Sequence, residues 1–389
     1  MEDMSVKNLV LSGRQIVTGS GAIGYLKKLS YKRVIIVTGG SSMIKNGIID
    51  RAKEMLIMSG SGVRVISGIK KNPSFEEVDE GLKVFNEYRP DCVLAIGGGS
   101  AMDAAKAMLL FYEFPELNKE NVIEYKEKGL IPVHRKTDLI CIPSTSGTAS
   151  EVTKTSVITD TEKRLKVPII TDCLRPDIAI LDSDITMTMP ANIAAETGMD
   201  ALTHAIESYT NHNLDDFDEA LAKAAVAGII RYLPDSCKNK DALARQKVHN
   251  YSCMAGISFA NVGLGMVHGI AHSFGAAFNM GHGLTNAIIL PYVLKYNSRD
   301  ERVAAKLKEL SYACHCEDII ERIEDLKEKL GIPESFAEAG LAENDFIDNH
   351  DLLLEHAMLG ATKVNPVPVS KEHMDRMLSV VFYGDEIDF

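Results

Sequence analysis

Two pairs of residues one helical turn apart carry the clearest chemistry in this chain. Asp200 and His204 lie four apart in Thr197-Gly198-Met199-Asp200-Ala201-Leu202-Thr203-His204-Ala205-Ile206-Glu207, a stretch otherwise apolar or small, and that spacing puts both on one helical face. Alone, such a pair is more often a surface hydrogen bond than a binding site. A second segment changes the balance. Gly265-Met266-Val267-His268-Gly269-Ile270-Ala271-His272-Ser273-Phe274-Gly275 repeats the spacing with two histidines, and Gly281-His282-Gly283 adds another in what reads as a flexible loop. Histidines among apolar residues and glycines need partners, since an unsatisfied buried imidazole costs on the order of 1–3 kcal/mol. A shared cation supplies one. One carboxylate and three imidazoles suit a divalent ion of borderline softness, Fe(II), Zn(II) or a relative, with room for a substrate oxygen.

Glycine and hydroxyl clusters supply a second kind of chemistry. In Gly97-Gly98-Gly99-Ser100-Ala101-Met102-Asp103-Ala104-Ala105-Lys106, an apolar run ends in three glycines that open a helix. Glycine allows close approach to an anion and positive φ, and free N–H groups at a helix start point toward phosphate. A pyrophosphate fits there, and a plain turn needs fewer glycines. The motif is not the G-x-G-x-x-G fingerprint. Pro143-Ser144-Thr145-Ser146-Gly147-Thr148-Ala149-Ser150-Glu151 follows another apolar run, and its hydroxyls can bond a ribose, a phosphate or a carboxamide from the same edge of a sheet.

Such loops require a parallel sheet behind them. Val34-Ile35-Ile36-Val37-Thr38, Val63-Arg64-Val65-Ile66, Cys92-Val93-Leu94-Ala95-Ile96, Leu139-Ile140-Cys141-Ile142-Pro143 and Ile178-Ala179-Ile180-Leu181 read as strands alternating with helices, among them 47–58 and 75–88. From Pro190 the texture becomes helical: 192–209, 219–233, 242–261, 266–278, 302–330 and two segments after Glu343. The pattern predicts an α/β unit over 1–189 and an all-helical unit over 190–389, with a ligand cleft between them.

Composition narrows the function classes. The 389 residues are ample for more than one core at roughly 150 per domain. With 42 Lys+Arg against 54 Asp+Glu and no basic run, nucleic acid is not an expected partner. Seven scattered cysteines with no C-x-x-C pair fit a reducing compartment, and Cys314-His315-Cys316 falls within a helical pattern rather than a metal motif. Neither a basic leader nor a run of roughly 18 apolar residues appears, so a cytoplasmic protein without a membrane partner is expected.

Taken together, these segments resemble the iron-containing, or group III, alcohol dehydrogenase family, especially its butanol and 1,3-propanediol dehydrogenase-like members. The carriers are Gly97 to Ser100 with Asp103 and Lys106, Pro143 to Glu151, Leu181-Asp182, Gly198 to Glu207, and His268 through Pro291. The resemblance implies an N-terminal α/β nucleotide-binding domain, its parallel sheet flanked by helices, and an all-α metal-binding domain, the fold shared with dehydroquinate synthases. It implies Asp200, His204, His268 and His282 as ligands of Fe(II) or Zn(II), with His272 near substrate and nicotinamide as the catalytic histidine. Cofactor contacts then fall to Gly39, Gly40, Ser41, Ser42, Lys45, Gly97, Gly98, Gly99, Ser100, Asp103, Ser144, Thr145, Thr148, Lys166 and Leu181, Lys166 lying beside the cofactor ribose. Many members carry an acidic residue straight after the second strand; here Gly39-Gly40-Ser41-Ser42 stands there, as in NADPH-preferring members, so NADP(H) is expected over NAD(H). At Asn365-Pro366-Val367 the arginine that commonly follows the proline is missing. The implied activity is NAD(P)H-linked, metal-dependent interconversion of a short-chain primary alcohol or diol and its aldehyde, in a homodimer. The alternative is a lyase of the dehydroquinate synthase type or a glycerol dehydrogenase-like polyol oxidoreductase.

Overall fold

A computed structural model describes residues 8–163 and 165–389. Six strands form one parallel sheet: β1 (Gln15–Thr18), β2 (Arg33–Gly39), β3 (Gly62–Ile69), β4 (Cys92–Gly97), β5 (Asp138–Pro143) and, after the antiparallel pair β6 (Thr155–Asp160) and β7 (Leu165–Ile170), β8 (Ile178–Leu181). Their spatial order is β1-β8-β5-β4-β2-β3. The chain runs outward from β2 to β3, then returns to β4 on the other side of β2. The order therefore reverses between β2 and β4, the place in an open parallel sheet where ligands bind beyond the carboxyl ends of strands. Register aligns those ends: Thr38 pairs with Ile96, and Gly97 with Pro143. Both glycine-bearing loops and the hydroxyl loop thus open on one edge.

The central strands are buried from end to end, Val34 to Thr38 and Cys92 to Gly97, because helices cover both faces. Those helices include α1 (Ile48–Met58), α2 (Phe75–Tyr88) and α3 (Gly99–Glu113). Helix α2 starts on a capping box, with Ser74 and Glu77 each accepting from the other's backbone N–H.

From Pro190 the described chain is helical: α4 (Ala191–Thr210), α5 (Asp216–Lys238), α6 (Ala242–Val262), α7 (Met266–Phe278), α8 (His282–Asn297), α9 (Glu301–Cys314), α10 (Ile319–Leu330), α11 (Glu343–Ala357) and α12 (Lys371–Tyr383). Their shared core runs from Met189 to Phe382. No single helix among the described residues is long and apolar enough to cross a membrane.

Three expectations need correction. His282 does not sit in a flexible loop: it is the first residue of α8, with Gly281 as N-cap. That helix contains Pro291 and is buried on nearly every side, so it lacks the one-sided apolar stripe that marks a surface helix. The stretch 302–330 is two helices rather than one. His315 adopts a left-handed conformation, φ 54°, and Asp318 caps α10 by accepting from the N–H groups of Ile320 and Glu321. Cys314 therefore ends α9, and His315 and Cys316 lie in the break between the two helices. Strands β1, β6 and β7 add to the five that the sequence pattern marks.

Candidate metal and nucleotide site

Helix α4 sets Asp200 and His204 on one buried face, α7 contributes His268 and α8 contributes His282. The geometry converges on one atom. Asp200 Oδ1 lies 3.8 Å from His204 Nε2, 3.7 Å from His268 Nε2 and 3.6 Å from His282 Nε2. Ligand atoms of Asp200, His204 and His268 all fall within 4.8 Å of one another. Separations of 3.6–3.8 Å are too long for hydrogen bonds. They are close to the roughly 3.4 Å edge of a tetrahedron with bonds of about 2.0–2.1 Å to a central ion. The donor set, one carboxylate oxygen and three imidazole nitrogens, thus fits a divalent cation of the Fe(II) or Zn(II) kind.

Electrostatics agree. Burial pushes the Asp200 carboxyl up, yet the surrounding His204, His282 and His268 rings outweigh it and hold the group below the ordinary carboxylate range. Burial takes His204 down to about 3 and His282 down to about 4, leaving both neutral and able to donate a lone pair. Burial also lowers His268, but the carboxylates of Glu207 and Asp200 carry it to about 9. A bound cation would take the place of that proton. Packing fixes the rings: His204 stacks on Phe259 at 4.3 Å and on His268 at 4.6 Å between centroids.

Two neighbours escaped sequence reasoning. Asn286, one turn after His282, donates from Nδ2 to Asp200 Oδ1 at 2.7 Å and lies 3.1 Å from His268 Nε2. Glu207 Oε2 pairs with His268 Nδ1 at 2.5 Å. Spacing held a signal for Glu207, seven after Asp200 in one helical stretch, whereas Asn286, four after His282, gains meaning only once that segment is helical. His272 stands apart from Asp200. Its exposed ring stacks on that of His282, 5.2 Å between centroids. Asn365 lies two residues before the place of the missing arginine, and its Oδ1 accepts from Met266 N–H at 3.1 Å at the start of α7.

The glycine and hydroxyl loops stand on the adjacent sheet edge. Gly97 has φ +155°, and a Cβ there would meet Ala101 Cβ at 2.9 Å; one on Gly99 would meet Thr148 at the same distance. Gly98 is the N-cap of α3 and carries no side chain to occupy the first-turn N–H groups, which suits an anion. Ser144 N–H donates to Gly97 O, and Thr145 faces Gly98. Ser100 is half-buried on the first turn of α3. Asp103 accepts from Ser150 Oγ at 3.0 Å, and burial raises its carboxyl to about 6. Lys106 is fully buried and donates to Ser150 Oγ, Thr153 O and Thr155 O, each at 2.9 Å, so it braces the loop from beneath. From the helical side, His249 Nδ1 meets Ser146 Oγ at 2.9 Å and Ser252 donates to Gly147 O. Gly147 also packs on Thr197 of α4, which joins the hydroxyl loop to the metal-site helix.

The remaining candidates are more dispersed. Gly39 ends β2, Gly40 N–H donates to Ile69 O, and Ser41, Ser42 and Lys45 lie around a short helix at 42–45, with Ser41, Ser42 and Lys45 all exposed. Lys166 on β7 is half-buried and near enough to His282 to disfavour its protonation. Leu181 ends β8 with its carbonyl already accepting from Gly19 N–H and Gln246.

Comparison with known proteins gives a consistent answer. Residues 13–183 match the family described as iron-containing alcohol dehydrogenase, and residues 194–382 match the C-terminal region of the same family. The chain is 40% identical over 385 residues to an NADPH-dependent butanol dehydrogenase of Clostridium saccharobutylicum, covering 97% of this chain and 98% of that protein. It is 37% identical over 337 residues to a 1-propanol dehydrogenase PduQ of Citrobacter freundii, covering 84% and 86%. The solved iron-containing alcohol dehydrogenase of Thermococcus thioreducens superimposes with TM-score 0.90 at 33% identity, covering 97% of this chain and 100% of that one.

Proposed function

This chain belongs to the iron-containing alcohol dehydrogenase family, and from that membership we propose that it interconverts short-chain primary alcohols or diols and their aldehydes, with NADP(H) preferred over NAD(H). It is an NAD(P)-linked alcohol dehydrogenase. The observation that carries the reading of the site is the convergence of His204, His268 and His282 on Asp200 Oδ1, beside the sheet edge that bears the glycine loops. When bound, the cation supplies Lewis acidity toward a carbonyl oxygen and the reduced nicotinamide supplies hydride.

The chain's own residues do the rest. Asp200, His204, His268 and His282 hold the cation, and Phe259 fixes the His204 ring. The N–H groups that follow Gly98 receive the cofactor pyrophosphate, while Ser144, Thr145 and Thr148 orient the nicotinamide half. Asp103 and Lys106 brace the hydroxyl loop, and Lys166 stands at the ribose. His272, exposed in the cleft, moves the proton between the substrate oxygen and water. Gly39 and Gly40 leave space for the 2′-phosphate, with Ser41, Ser42 and Lys45 as its donors. Leu181 lines the cofactor side from the end of β8. The domains are assigned as 1–189 and 190–389, the enzyme as a cytoplasmic homodimer. A panel of aldehydes with NADPH and NADH tests the proposal: steady oxidation of NADPH by C3–C4 aldehydes is expected, and turnover of none of them would overturn it.

A further inference from the structure

We propose that Glu207 is a positioning residue for the metal, fixing the His268 ring so that Nε2 faces the cation; this rests on the ligand assignment above. On α4, Asp200, His204 and Glu207 fall at i, i+4 and i+7, one helical face. Glu207 is 5% exposed, and both its oxygens are engaged by one short piece of α7. Oε2 meets His268 Nδ1 at 2.5 Å, and Oε1 accepts from the backbone N–H of Val267 at 2.8 Å. Helix α7 starts at Gly265 without a side-chain cap of its own. A Cβ on Gly265 would stand 2.9 Å from Glu207 Oε1, so glycine there leaves the carboxylate its place.

The chemistry follows from the donor inventory. An ionised carboxylate only accepts, so Nδ1 of His268 carries the proton and Nε2 is the nitrogen left for a metal. Nε2 is also the nitrogen turned toward Asp200 Oδ1. A carboxylate on the far side of a ligating imidazole fixes the tautomer and raises the basicity of the ligand. Glu207 and Asp200 thus stand on opposite sides of the His268 ring, one at Nδ1 and the other facing Nε2. One helix, α4, thereby supplies two ligands and the anchor of a third.

Glu207→Gln tests this, because it keeps the shape and replaces one acceptor with a donor. Either the Val267 N–H or the His268 Nδ1–H then faces an NH2 group. In the full chain, Zn(II) affinity measured by competition with a chelating dye is expected to fall about 10- to 100-fold, with Glu207→Asp recovering part of the loss. A merely structural role would lower the thermal midpoint of the metal-free protein and leave zinc affinity unchanged, and that result overturns the proposal. Should Glu207→Gln fail to fold, the 15N histidine resonances of the zinc-loaded wild type decide. A protonated Nδ1 and metal-bound Nε2 at His268 support the proposal, and the opposite arrangement overturns it. Wild-type protein that takes up no zinc instead overturns the ligand assignment, and this proposal with it.

Discussion

The proposed preference for NADP(H) turns on a position with no side chain, so adding one is an informative perturbation. Gly39 closes β2 at the edge where the sheet order reverses, and a Cβ built there would lie 3.4 Å from Ile69 O and 3.8 Å from Ala101 Cβ. Both are ordinary contacts, so Gly39→Asp fits without moving the strand. The new carboxylate would accept from the ribose hydroxyls of NAD and repel the 2′-phosphate of NADP. One charge-assisted hydrogen bond gained or lost is worth about 1–3 kcal/mol, which converts to a change of about 5- to 150-fold in selectivity. The assay is kcat/KM for NADPH and NADH with one aldehyde, on wild type and variant. The wild type is expected to favour NADPH, and the variant to move the ratio toward NADH by that factor. A wild type with the higher kcat/KM for NADH, or a ratio that the substitution leaves unchanged, would show that Gly39 does not set the preference.

Other perturbations address the metal site and its frame. His268→Ala and His282→Ala should each lose bound metal and activity while circular dichroism stays native; full metal occupancy in either would remove that residue from the ligand set. His272→Ala should keep the metal and lose turnover, whereas loss of metal would make it a ligand and wild-type rates would deny it a role. Gly283→Ala puts a Cβ 2.3 Å from Glu196 O, so the start of α8 must shift and carry His282 with it; weaker metal binding by dye competition is the expected result, and unchanged affinity would contradict it. Burial lowers His249 to about 3, below its ordinary value of 6.5. The unfolded chain therefore binds the extra proton first, and stability is lost as pH falls below about 6.5, by up to about 1.4 kcal/mol per pH unit. Urea midpoints of wild type and His249→Gln at about pH 7.5 and about pH 5 check the sign, since wild type should lose more on acidification and parallel behaviour would negate it.

Much of the site is legible in the sequence because its signals are local. The i, i+4 spacing of Asp200 and His204 and the run Gly97-Gly98-Gly99 at the end of an apolar strand each report a physical requirement over a few residues. Four of the five strands read from the sequence are buried apolar runs, as burial on both faces demands, whereas Val63-Arg64-Val65-Ile66 is a β-branched edge strand with Arg64 and Val65 exposed. Helix α8 hides for the converse reason: burial on nearly all sides erases the periodic contrast that reveals a helix, and Pro291 reads as a breaker. The hairpin β6–β7 alternates partly exposed residues and has no long apolar run. Glu207 lies inside a recognisable motif, yet its role depends on a contact with a residue 61 positions away. Asn286 becomes visible only once α8 places it one turn from His282.

A metal at Asp200, His204, His268 and His282 is proposed to serve NADPH-linked aldehyde reduction. The most direct test is to strip the protein of metal and titrate Fe(II) or Zn(II) back while following NADPH oxidation with a short-chain aldehyde. The expected trace starts near zero, rises linearly, breaks at one equivalent per chain, and stays flat in His268→Ala. Full activity in the stripped protein, or an identical titration in His268→Ala, would contradict it.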